Sequence, residues 1–166
     1  MDIFEFAMQK EKFSENYYRE LVGKTGNKGL KNICNMLADE EAKHYKVVQQ
    51  MRTKNPKIIT NTPILKNAKK VFEKMRESTE KFNVNISELG LYEKAKDIEQ
   101  ESKRFYLEKA DDVDNPDQKE IFKKLANEEQ KHFIILENIC DFLAKPQYFL
   151  ENAEFHHIDD YVEGVF

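Results

Sequence analysis

Eight residues, Leu37-Ala38-Asp39-Glu40-Glu41-Ala42-Lys43-His44, return 88 positions later as Leu125-Ala126-Asn127-Glu128-Glu129-Gln130-Lys131-His132. A single Glu-x-x-His means little in a chain with 31 acidic residues, so the offset itself has to be tested. It recovers a second pattern. Ala7-x-x-x-Glu11-x-x-Ser14-x-x-Tyr17-Tyr18 maps onto Ala95-x-x-x-Glu99-x-x-Ser102-x-x-Phe105-Tyr106 at the same spacing. The chain therefore reads as two copies of one helix pair, each with a Glu on its first helix and Glu-x-x-His on its second.

The 166 residues suit one domain, enough to bury roughly two-thirds of the unfolded surface. Five Gly and four Pro against 35% charged residues describe a helical chain with few turns. A net charge of −4, with no basic tail and no basic-aromatic interleaving, gives no reason to expect nucleic acid. The start, Met1-Asp2-Ile3-Phe4-Glu5, lacks a charged-then-apolar signal pattern. No apolar run approaches the ~20 residues that span a bilayer, so no membrane partner is expected and the cytoplasm is the expected location. Cys34 and Cys140 do not correspond under the offset and form no CxxC. They read as two buried free thiols.

Taken in order, residues 2–23 form a first helix with an inward stripe of Phe4, Ala7/Met8, Glu11, Ser14, Tyr18 and Leu21/Val22, ended by Gly23 and Gly26-Asn27. A second helix, about 28–53, carries Leu30, Ile33/Cys34, Leu37, Glu41, His44, Val48 and Met51, and Asn55-Pro56 stops it. Residues 54–86 interrupt the repeat. Within them Thr62-Pro63 is a helix-start signal for a short amphipathic helix to about residue 80. A connection this long can cross the height of a bundle, which favours one long crossover between two hairpins over a simple up-down-up-down order. The third helix, about 87–111, opens at Ser87 or at Asn85…Glu88 and presents Leu91/Tyr92, Ala95, Glu99, Ser102, Tyr106 and Lys109/Ala110. The fourth, about 117–144, presents Phe122, Leu125, Glu129, His132, Leu136, Ile139/Cys140 and Leu143, and Pro146 closes it. Residues 1–145 thus make the bundle and 146–166 a C-terminal extension packing on it, with Tyr148, Phe149 and Leu150 covering one end. His156-His157 invites a further metal site but has no periodic context.

Four carboxylates and two imidazoles on core faces are costly to bury unless something satisfies them. Two ionised carboxylates 4 Å apart repel by roughly 4 kcal/mol at an effective dielectric near 20. Two divalent ions would balance four such charges, and the oxygen-plus-imidazole set suits iron or manganese better than thiolate-seeking metals. The i, i+3 spacing puts Glu41 with His44, and Glu129 with His132, on one face each. On this reading each pair holds one ion, and Glu11 and Glu99 complete or bridge the sites. Glu40 and Glu128 lie one step off the stripe and read as surface or rim residues. Tyr17, Phe105, Phe13, Tyr45 and Phe133 read as packing, and Ser14 and Ser102 as small residues where helices approach.

One Glu from each of two helices, plus Glu-x-x-His from each of the other two, is the ligand plan of ferritin-like di-metal carboxylate bundles. In Ala-x-x-x-Glu-x-x-x-x-x-(Tyr/Phe)-Tyr and Leu-Ala-x-Glu-Glu-x-x-His, each present twice, the sequence resembles the rubrerythrins over about residues 2–53 and 87–144. The resemblance implies an all-α, ferritin-like four-helix bundle of two duplicated hairpins joined by a long crossover with a short helix. It implies two iron ions, with manganese or another divalent metal as the alternative, held by Glu11, Glu41, His44, Glu99, Glu129 and His132. Tyr18 and Tyr106 would orient carboxylates from beside the metals. It also implies reduction of hydrogen peroxide or dioxygen by a homodimer. The paired CxxC motifs of a rubredoxin module are absent from these residues, so the expected electron donor is external, such as a rubredoxin. Position 96, where rubrerythrins usually carry an additional Glu, is Lys. The alternatives are an iron-handling ferroxidase or storage protein, a metal-bearing bundle without catalysis, and a hydroxylase of an organic substrate.

Overall fold

The computed structural model describes residues 2–51, 62–78, 84–151, 158, 159 and 161. Among the described residues six α-helices follow in the order α1 (Ile3–Lys24), α2 (Lys28–Gln50), α3 (Ile64–Glu77), α4 (Leu89–Asp112), α5 (Pro116–Ala144) and α6 (Pro146–Glu151), with a 3-10 turn over Ile86–Glu88 leading into α4. The bundle is all-α and ferritin-like, as the resemblance implies.

Local chemistry sets the boundaries. The Asp2 carboxylate accepts from Glu5 N–H at 2.8 Å and opens α1. Asn27 does the same for Leu30 N–H at 3.0 Å and opens α2. Asn115 accepts from Asp117 and Gln118 N–H, and Pro116 follows it in the first turn of α5, where a missing N–H does no harm. Asn85 caps the 3-10 turn rather than α4 itself, so the third long helix begins two residues later than the spacing predicts. Thr62 is not a cap: Pro63 holds that position in α3 and no side chain caps the helix, because the Thr62 hydroxyl is used elsewhere. The Asn55-Pro56 stop and the His156-His157 pair lie outside the described residues.

α1 packs mainly on α2 and α4 mainly on α5, giving the two hairpins. Two apolar clusters fill the bundle. One joins Tyr18, Leu21, Leu30, Ile33, Leu37, Tyr92 and Leu136 with residues of α3 and α6; the other joins Ala7, Val48, Met51, Tyr106, Ile121, Phe122 and Leu125. α2 runs from the first cluster to the second, and α4 also starts at the first and ends at the second. The two helices are therefore parallel, and the connection between them must climb the full height of the bundle, as its length implies.

α5 is buried on more faces than its predicted stripe requires. Ile134, Ile135, Asn138 and Phe142 form a second inward-facing set. α3 and α6 cover it, with Phe72 and Phe142 lying 5.3 Å and 6.0 Å from the Phe149 ring. Phe149 and Leu150 are buried, whereas Tyr148 is exposed. Phe13, read from the sequence as a packing residue, is 56% exposed. Both cysteines are free and buried, as expected, and Cys34 Sγ lies 3.6 Å from the Tyr92 hydroxyl. Among the described residues no helix is long and apolar enough to cross a membrane.

Candidate metal centre

Between the two apolar clusters lies a polar layer. α1 brings Glu11, α2 brings Glu41 and His44, α4 brings Glu99, and α5 brings Glu129 and His132; none of the six is more than 2% exposed. Helical spacing explains their height. Glu11 stands one turn past Ala7 of one cluster and two turns before Tyr18 of the other, and Glu41 and His44 stand between Leu37 and Val48.

The pairing crosses between hairpins. His44 Nδ1 lies 2.9 Å from Glu129 Oε1, but 3.6 Å from Glu11 Oε2 and 3.7 Å from Glu41 Oε2. His132 Nδ1 lies 2.8 Å from Glu41 Oε1 and 3.4 Å from Glu99 Oε1, with Glu129 Oε2 at 3.9 Å. The imidazole planes are nearly parallel, 6° apart, with centroids separated by 5.5 Å. Two groups of ligand-type atoms result, each drawn together within 4.8 Å: Glu11, Glu41, His44 and Glu129, and Glu41, Glu99, Glu129 and His132. They share Glu41 and Glu129. The spacing alone suggests that each Glu-x-x-His pair serves its own ion with Glu11 and Glu99 completing or bridging. Of the two roles the spacing leaves open for Glu11 and Glu99, the geometry agrees with completing: each lies in one group, while Glu41 and Glu129 lie in both.

Two tyrosines complete the layer. The Tyr18 hydroxyl donates to Glu99 Oε1, and the Tyr106 hydroxyl donates to Glu11 Oε1. Each tyrosine thus reaches the carboxylate of the opposite hairpin, and the repeat makes the contact twice.

The electrostatics follow from crowding charges where water cannot reach. Burial pushes the Glu41 and Glu129 carboxyls up and the neighbouring carboxylates push the same way, so both sit well above the ordinary range. Burial works in the same direction on Glu11 and Glu99 but is outweighed, on Glu11 by the neighbouring Glu41 carboxyl, then His44 and the Tyr106 hydroxyl, and on Glu99 by the His132 charge, then the Glu129 carboxyl and the Tyr18 hydroxyl. Glu11 is lowered, and Glu99 is lowered to about 2. Burial opposes charge on both imidazoles, yet Glu11 beside His44 and Glu99 beside His132 raise them above the usual value. Protons are therefore held more tightly on Glu41, Glu129 and the two imidazoles, and negative charge is favoured on Glu11 and Glu99.

The donor set fits a pair of hard divalent cations. Glu11 Oε2, Glu41 Oε2, Glu99 Oε2 and Glu129 Oε2 are buried with no hydrogen-bond partner. Buried carboxylate oxygens left unpaired are costly, and cation coordination is the usual remedy. With two divalent ions the six side chains balance again, four carboxylates against four positive charges and both imidazoles neutral.

Ser14 and Ser102 are buried one turn beyond Glu11 and Glu99, as small residues at a close approach should be. Lys96 extends over the Phe133 ring, 5.4 Å from its centroid. The expectation that Glu40 and Glu128 lie at the surface is wrong: they are 7% and 1% exposed. Glu128 lies beneath the crossover, accepting from the Thr62 hydroxyl at 2.8 Å and from Lys131 Nζ at 2.9 Å. Its duplication with Glu40 under the 88-residue offset was the one sequence signal that the position has a role.

A family model described as Rubrerythrin matches residues 2–140, a span containing all six residues. No curated protein and no solved structure matches the chain.

Proposed function

The chain belongs to the rubrerythrin family of di-iron carboxylate proteins, and from that premise we propose that Glu11, Glu41, His44, Glu99, Glu129 and His132 hold two iron ions at which hydrogen peroxide or dioxygen is reduced. The observation that carries this reading is the pair of overlapping four-residue groups sharing Glu41 and Glu129, with an unpaired oxygen on each of four buried carboxylates.

Bound iron supplies the electrons and a Lewis acid for the oxidant. The protein supplies position and charge. Tyr106 and Tyr18 fix the outer carboxylates Glu11 and Glu99 by donating to one oxygen of each, leaving the other free to coordinate. Glu41 and Glu129, lying between the groups, keep four carboxylates from needing four separate counter-charges. The apolar clusters above and below exclude water, so charge at the centre stays coupled to these six side chains. The 166 residues contain two cysteines and no CxxC pair. The electron donor therefore lies outside them, with a rubredoxin-type protein as the proposed donor and a homodimer as the proposed assembly.

The test is metal content after anaerobic loading with ferrous iron, followed by absorption spectra before and after an equivalent of peroxide. About two irons per chain, with a spectral change on peroxide and its reversal by an added reductant, is the expected result. A folded chain that retains no metal overturns the proposal. Iron that is oxidised and accumulates inside a large shell, seen by light scattering, moves the function to storage.

A further inference from the structure

Glu40 immediately precedes Glu41, is 7% exposed, and has a buried Oε2 with no hydrogen-bond partner. Its other oxygen, Oε1, lies 3.6 Å from Nζ of the exposed Lys43. Across from it are two more buried atoms in the same condition, His44 Nε2 and His132 Nε2. Both rings turn Nδ1 toward the carboxylate layer, at 2.9 Å from Glu129 and 2.8 Å from Glu41, so their Nε2 atoms lie on the edge away from those contacts. The rings stack in parallel, and Glu40, His44 and His132 bring ligand-type atoms within 4.8 Å of one another.

A neutral imidazole carries one N–H, and the nitrogen that keeps it is set by the hydrogen bond made on that side. For Nδ1 to offer a lone pair to a metal, Nε2 must carry the proton, and a buried N–H needs an acceptor. Glu40 is placed to be that acceptor. Its repeat-related counterpart is not free for the task, because Glu128 binds Lys131 through Oε1 and Thr62 through Oε2.

We propose that Glu40 is a positioning residue that accepts from Nε2–H of both His44 and His132, directly or through one water, and so holds both rings with Nδ1 facing the metal centre. This rests on the metal-binding reading above. The carboxylate also makes each imidazole a more basic ligand and places negative charge beside the centre, which favours the more oxidised state of a bound metal. One side chain thereby serves both histidines, and the two halves of the repeat, alike in their ligands, differ in this support.

The experiment compares the unsubstituted chain with Glu40→Leu, Glu40→Gln and Glu128→Gln. Each is titrated anaerobically with ferrous iron against a chelator, and the midpoint potential of the loaded centre is measured. Glu40→Leu is expected to bind iron about 10- to 100-fold more weakly and to show a higher potential. Glu40→Gln keeps an acceptor oxygen but loses the charge, so it should raise the potential with a smaller loss of affinity. Glu128→Gln leaves the proposed acceptor in place and should keep the iron affinity within about twofold of the unsubstituted chain. If Glu40→Leu does not fold, Glu40→Gln decides by its potential, because a merely structural role would leave that unmoved. Affinity within about twofold of the unsubstituted chain and an unshifted potential in folded Glu40 variants overturn the assignment while leaving the metal centre standing. An equal loss in Glu128→Gln also overturns it. If the unsubstituted chain itself holds no iron, the functional reading fails and this one fails with it.

Discussion

Replacing Tyr106 by Phe removes one hydroxyl and keeps the ring. The ring stacks on Phe122 at 5.8 Å and meets Phe105 edge-on at 5.5 Å, contacts that Phe retains. What is lost is the donation to Glu11, between side chains 1% and 2% exposed. Glu11 is held below the ordinary carboxylate range, so the bond is charge-assisted, and such bonds contribute ~1.5–3 kcal/mol. His44 Nδ1, at 3.6 Å from Glu11 Oε2, is beyond hydrogen-bond range and does not take over. In a chain of this size that loss lowers the melting temperature by about 3–12 °C.

The assay is urea unfolding of chelator-treated protein at neutral pH, with the slope checked for constancy so that midpoints report stability. The sign with pH follows from the lowered pKa. The contribution is fully present above the ordinary carboxylate range and is lost as pH falls through the folded value. For Tyr18→Phe, whose partner Glu99 stays ionised down to about 2, the loss should persist from neutral well into acid. A Tyr106→Phe loss below about 0.5 kcal/mol, the range of inert surface changes, would refute the claim that the hydroxyl holds an ionised carboxylate.

Stoichiometry separates shared from outer ligands: elemental analysis should find about one iron in Glu11→Ala or Glu99→Ala and less in Glu41→Ala or Glu129→Ala, and the reverse order would overturn the assignment of shared positions. Loading should release protons, because the Glu41 and Glu129 carboxyls and the two imidazoles, all raised, must give theirs up to bind metal. Calorimetry in buffers of different ionisation enthalpy checks this, and affinity should rise with pH because metal competes with those protons. Lys131→Met strands the buried Glu128 without its cation and should destabilise the fold by about 3–5 kcal/mol, measured by denaturant unfolding. Lys43→Met, at the repeat-related but exposed lysine, should cost under about 1 kcal/mol.

The six residues of the buried polar layer were readable because residue type and helical period carry the information. Glu and His at stripe positions otherwise held by Leu and Val, repeated at one offset, leave few explanations. Which carboxylates are shared was not readable. Helical spacing puts Glu41 near His44, but contact across the bundle is set by how the hairpins face each other, and His44 finds Glu129 at 2.9 Å and Glu41 only at 3.7 Å. The burial of Glu128 was hidden for a related reason. One step off the stripe means solvent only if nothing crosses the helix there, and Thr62 does. Thr62 misled in turn, since Thr-Pro is a sound helix-start signal, and the demand of a buried carboxylate for a donor overrode it. The second apolar set on α5, Ile134, Ile135 and Phe142, was available in the sequence as a sign that a further layer covers that helix.

Duplication explains why the centre is symmetric, and the crossover explains why its surroundings are not. Each hairpin repeats the same demands toward the middle of the bundle: a Glu, a Glu-x-x-His and a Tyr that reaches across. The faces turned away from the middle are free to diverge: α3 packs on both α2 and α5, but Thr62 bonds to α5, through Glu128. There the Glu-Lys pair becomes a buried ion pair at 2.9 Å, whereas the same pair on α2 stays loose at 3.6 Å with its lysine in solvent. A carboxylate held by a buried ammonium and a hydroxyl is committed to structure. A carboxylate with one free buried oxygen beside two unpaired ring nitrogens is available to the metal ligands. The strap that stabilises one half of the repeat thereby leaves support of the histidines to the other.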